Sequence, residues 1–99
     1  MNHYMVDFNL PLKLSENFLD LIPIQRKHVN KLFLKGKLVN YSFSLENSRM
    51  WAVFNAKGKR EVYEMIEQMP LTEYMLDYEI SELSFYHAYL PNAIQFSMN

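Results

Sequence analysis

The hydrophobic patterning of this chain predicts an α+β fold built in the order strand, helix, strand, strand, helix, strand, on three observations. Four short segments carry apolar residues with a period of two or as a brief unbroken run, as strands do. Two longer segments space them by threes and fours, as helices with one buried stripe do. The length of 99 residues allows a single domain, spanning 1–99, around one thin core.

Tyr4, Val6, Phe8 and Leu10 alternate with polar or less apolar neighbours until Pro11 stops the first strand. Ser15 is placed to cap a helix whose inward stripe reads Phe18, Leu21, Ile22, Val29, Leu32 and Phe33. Pro23 lies inside that pattern and predicts a kink or a break, because it lacks a backbone donor and crowds the preceding turn. Gly36 is the expected stop, after Lys31 and Lys35, whose charges suit the end of a helix. A second strand follows with Val39, Tyr41, Phe43 and Leu45 on one side and Asn40, Ser42 and Ser44 on the other. Met50 to Phe54 is apolar on both sides, as a central strand is. Gly58 and Glu61 form half of a capping box before a helix with the stripe Val62, Met65, Ile66 and Met69. Pro70 ends it, and Tyr74, Leu76, Tyr78 and Ile80 begin the last alternation. There the apolar set slips to Leu83 and Phe85, which predicts a bulge near Ser81 and Glu82.

This is the ferredoxin-like βαββαβ order: a four-stranded antiparallel sheet with two helices on one face. The apolar alternates belong under the helices. His3, Asp7, Asn9, Asn40, Ser42, Asp77 and Glu79 then fall on the open face.

Composition narrows the function classes. A net charge of −1 with scattered basic residues lacks the footprint of a general nucleic-acid binder. No cysteine is present, so there is neither a disulfide framework nor a thiolate site. Histidines at 3, 28 and 87 have no zinc-ligand spacing, and no metal is expected. The first residues lack the pattern of a signal peptide, and no apolar run approaches the roughly 18 residues of a membrane span, so the expected location is cytoplasmic. Seven Tyr, seven Phe and one Trp exceed what so small an interior can hold, and some of that surface is expected to meet another subunit. The tail, residues 88–99, carries Tyr89, Leu90, Ile94, Phe96 and Met98 without a period and is read as draped over a subunit.

Four stretches together resemble the muconolactone isomerase family: Lys35-Gly36-Lys37-Leu38, Met50-Trp51-Ala52-Val53-Phe54, Glu61-Val62, and Met69-Pro70-Leu71-Thr72-Glu73-Tyr74-Met75. They stand where that family has "GKW" closing its first helix, "SVF" in its third strand, "ELH" in its second helix and "PLFPYM" before its last strand. The likeness runs over roughly residues 3 to 87. It implies a dimeric α/β barrel in which two open sheet faces meet, a homodimer or larger homo-oligomer. It also implies a small-molecule ligand and a shift of a double bond in a lactone, with no cofactor and no metal. The family's acid/base is a glutamate eleven residues before the helix-ending glycine, followed by lysine. Here Gln25 and Arg26 stand there, and an amide takes no proton near neutral pH.

If the chemistry persists, another base is needed. Asp7 and Glu79 on the open face are the candidates, since partial burial raises a carboxyl toward neutral pKa. Gln25, Arg26, His28 and Asn40 are the candidate substrate-binding residues. Each also has a plain reading: a core amide for Gln25, solvated helix residues for Arg26 and His28, and strand-surface residues for Asp7, Asn40 and Glu79. The rival function is a barrel that keeps the fold and binds a small molecule without catalysis. A third is an RNA-recognition module, for which Arg49 to Phe54 is a loose match with Val53 where a stacking aromatic belongs.

Overall fold

The structure, a computed structural model, describes residues 1–88. Strand β1 (Asn2–Asn9), helix α1 (Glu16–Leu34), strands β2 (Leu38–Ser44) and β3 (Arg49–Ala56), helix α2 (Lys59–Glu67) and strand β4 (Asp77–Glu82) follow in the expected order. The strands form one antiparallel sheet ordered β2-β3-β1-β4, the ferredoxin-like arrangement. The interface role expected of the tail falls, from Tyr89 onward, outside the described residues.

The core lies between the sheet and both helices. Val6, Phe8, Met50, Ala52 and Phe54 are fully buried against Phe18 and Val29 of α1 and Val62 and Ile66 of α2. Each large apolar side chain so buried contributes on the order of 1.5–3 kcal/mol.

Local chemistry sets the helix ends. Ser15 Oγ accepts from the Phe18 N–H at 3.2 Å, and the chain leaves α1 through Gly36 at φ 71°. The Gly36 N–H bonds to the Phe33 carbonyl and the Lys37 N–H to that of Leu32, a Schellman closure for which glycine has the needed freedom. α1 runs unbroken through Pro23, against the expected break. The carbonyl that Pro23 leaves without a donor belongs to Leu19, which is half exposed and can bond to water.

Two strand expectations shift. The irregularity lies in β2 and not near Ser81: Leu38 pairs with Phe54 while Tyr41 pairs with Ala52, so β2 spends one extra residue between them. Leu38 is consequently buried and Val39 exposed, and Tyr41 and Phe43 still face the helices. β4 keeps regular register with β1 from Asp77 to Glu82. Tyr74 belongs to a short 3-10 turn, Thr72–Tyr74, and Leu76 is exposed; the last strand starts three residues later than the alternation suggests.

Candidate functional site

Directly paired residues of an antiparallel sheet share a face, so the register sorts the side chains. Ser42, Trp51, Asp7 and Glu79 form one row across the open face. Asn40, Val53, Met5 and Ser81 form the next. Gln25 and Arg26 project from α1, on the other side of the sheet. The six candidate residues therefore divide into separate groups, and one small ligand cannot touch Asp7 and Gln25 together.

On the open face, Asp7, Asn9, Arg49, Asp77 and Glu79 border a hollow of about 420 Å³. Arg49 donates to Asp7 Oδ2 at 3.2 Å, and Asn9 donates to Asp77 Oδ1 at 2.6 Å. Asp7 Oδ1 is shielded from solvent and has no hydrogen-bond partner among the described residues. Asn40, two strands from β1 and hence roughly 10 Å away, stays apart from this hollow and accepts from Ser42 Oγ. His3 stacks on Tyr86 with ring centroids 5.0 Å apart, and His87 is exposed.

Under the helices, a second cavity of about 470 Å³ opens between α1 and the edge strand β2. Leu19, Ile22, Val29 and Phe33 of α1 form one wall. Tyr41 and Phe43, with Leu45 just beyond β2 and Leu71, form the other. Its polar side chains are Gln25, Arg26, Asn30 and Tyr41. His28 is on the same helix but does not line it; partial burial, with Lys31 and Lys35 nearby, lowers its pKa and favours the neutral ring.

Gln25 is only 1% exposed and its polar atoms are taken up inside the protein. Its Oε1 accepts from the Leu71 N–H at 3.1 Å, while Nε2 donates to Tyr41 Oη at 3.2 Å and faces Met69 Sδ at 3.5 Å. The amide thus ties α1 to the turn after Pro70 and to β2. It satisfies a backbone donor that a tight buried turn leaves unpaired. Burial pushes the Tyr41 phenol above its ordinary pKa, with the Gln25 bond opposing, so the hydroxyl keeps its proton at neutral pH. Sequence reading put Tyr41 among the core residues and missed it as a site residue; the available signal was a tyrosine on the inward side of a strand, whose hydroxyl needs a partner.

Among the described residues, no group of three or more His, Cys, Asp or Glu is placed to hold a metal ion. No helix there is long and apolar enough to cross a membrane.

No family model matches the sequence, and no curated protein does. Solved structures do match the fold. Muconolactone isomerase superposes with a TM-score of 0.65 at 18% identity, covering 87% of this chain and 96% of its own. A 5-chloro-2-hydroxyhydroquinone dehydrochlorinase from Burkholderia phenoliruptrix, in complex with 2,5-dihydroxybenzoquinone, gives 0.61 at 14% identity, covering 87% and 95%. The protein Atu4242 from Agrobacterium tumefaciens gives 0.54 at 13%, covering 85% and 92%. At these identities the likeness establishes the fold, and the ferredoxin-like α+β fold of muconolactone isomerase is the fold of this chain.

Proposed function

We propose that this protein binds a small oxygenated ring, of the lactone, quinone or ring-carboxylate kind, in the cavity between α1 and β2, and does so without moving a proton. The observation that carries this reading is the make-up of the wall. It combines apolar side chains with two amides, a phenol and a guanidinium, and among the described residues it has no carboxylate or imidazole. Apolar walls with a few convergent polar groups suit a ring-sized ligand. A proton shift between carbons needs a base whose pKa lies near the working pH, and none of these groups is one.

Arg26, exposed at the rim, is the natural partner for a ligand carboxylate, whereas Gln25 supplies a fixed, uncharged stretch of wall. The ring class draws support from the two fold neighbours, one named for a lactone and one holding a quinone. Muconolactone is the test ligand. Expected are saturable binding and an unchanged ligand at high protein concentration, with Gln25→Glu gaining isomerisation on the order of 10²-fold or more over the uncatalysed rate. Absence of binding, or turnover by the wild-type protein, contradicts the reading.

A second reading keeps the isomerase chemistry and moves it to the open face. It is favoured by the solvent-shielded, unpartnered Oδ1 of Asp7 beside Glu79. A second copy of the chain roofing this face would enclose the hollow, with Asp7 or Glu79 as base. Wild-type turnover abolished by Asp7→Asn or Glu79→Gln, in a protein whose mass by light scattering is that of a dimer, selects this reading over the first.

A further inference from the structure

Hydrogen-bond direction in the α1–β2 cavity is fixed by one group that has no choice. The Leu71 backbone N–H can only donate, so the atom of Gln25 that faces it is the carbonyl oxygen. The amide NH2 must then face Tyr41 Oη, and the phenol oxygen is an acceptor in that bond. Its own proton is left over. Among the described residues the Tyr41 hydroxyl makes no other hydrogen bond, and the side chains around it in the cavity are mostly apolar.

We propose that Tyr41 is the ligand-positioning donor of this cavity, its hydroxyl proton selecting rings that carry an uncharged acceptor, such as a lactone or quinone carbonyl. This rests on the small-ring reading of the cavity and adds the residue that sets ligand class. The donor is Tyr41 and not Gln25, because the hydrogens of the amide are already directed at Tyr41 and Met69. Tyr41 keeps its proton at neutral pH, since burial raises its pKa. Tyr41 is half-buried, and once a ligand covers its hydroxyl, a donor left without a partner penalises any ligand that offers only hydrocarbon or only a donor at that point. Arg26 at the rim leaves room for a carboxylate elsewhere on the same ring.

Two probes of matched shape test this: phthalide, a bicyclic lactone, and indane, its hydrocarbon counterpart. Affinities for the full chain and for Tyr41→Phe are measured by titration, and the ratio of the two probes within each protein cancels any general change in the fold. Wild type is expected to prefer phthalide, and Tyr41→Phe to lower that preference about tenfold, the worth of one hydrogen bond, through weaker phthalide binding, tighter indane binding or both. A carbonyl stretch of bound phthalide shifted to lower frequency in wild type gives a measurement that does not depend on the variant folding. An unchanged ratio in Tyr41→Phe, or an unshifted carbonyl in wild type, overturns the role of Tyr41 while leaving a ligand-binding cavity. Failure of both probes to bind overturns it together with the reading on which it rests.

Discussion

Gln25 shows how one residue can be structural and still decide chemistry. It holds a backbone N–H that lies 46 residues along the chain, and in doing so fixes the polarity of Tyr41. Its oddity was legible in the sequence, as a polar residue on an otherwise apolar helical stripe. Its partner was not, because no local pattern announces that the Leu71 N–H lacks an acceptor within its own turn. The same residue makes a stability prediction. Gln25→Leu keeps the volume roughly constant but strands the Leu71 donor in the interior, a loss of about 1–3 kcal/mol. Urea unfolding measures it; a midpoint equal to that of wild type would show that the bond contributes nothing.

At the scale of elements, the helices followed their caps and the strands followed their alternation, except where the backbone added or delayed a residue. The β2 bulge escapes sequence reading because Leu38 and Val39 are both apolar, and either can begin the alternation. The late start of β4 escaped for a similar reason: the spacing of Tyr74 and Leu76 mimics a strand, although the 3-10 turn and its ties to the core hold the chain back until Asp77. The start of α2 carries a pH-dependent contact. Glu61 Oε1 accepts from the Lys57 N–H at 2.8 Å and Oε2 pairs with Lys37 at 2.9 Å, binding α2 to the turn between α1 and β2. The Lys57 N–H, and after it Lys37, hold the Glu61 carboxyl below its ordinary pKa. The folded state therefore favours the carboxylate. Its contribution is complete above the ordinary carboxylate range and is lost as pH falls through the lowered folded value. Thermal midpoints of wild type and Glu61→Gln should differ near pH 7 and converge in acid, by a small amount because both side chains are about 30% exposed and screened. A gap that stays constant with pH would remove the charge from the explanation.

For the whole molecule, the sheet acts as a partition. The sequence placed Asp7, Asn40 and Glu79 on the open face correctly, since alternation alone determines that. It did not show that Gln25 and Arg26 address a different space, because a period of two and a period of 3.6 say which side of an element is buried but not which cavity a rim residue borders. The partition gives two chambers with different chemistry. The hollow over the strands is acidic, with Asp7, Asp77 and Glu79 around one arginine, whereas the cavity under the helix is apolar with a donor and a cation. An anionic ring is drawn to the cation of the second and repelled by the carboxylates of the first, and a neutral ring is suited to the apolar walls of the second.

Methyl chemical-shift mapping during a titration with muconolactone tests this division most directly, because methyl groups stand on both faces of the sheet. Binding between α1 and β2 predicts perturbations gathered at Leu19, Ile22 and Val29, with Met5 and Val53 on the open face unmoved. Perturbations gathered at Met5 and Val53 instead would place the ligand on the opposite side of the sheet and contradict the proposed site.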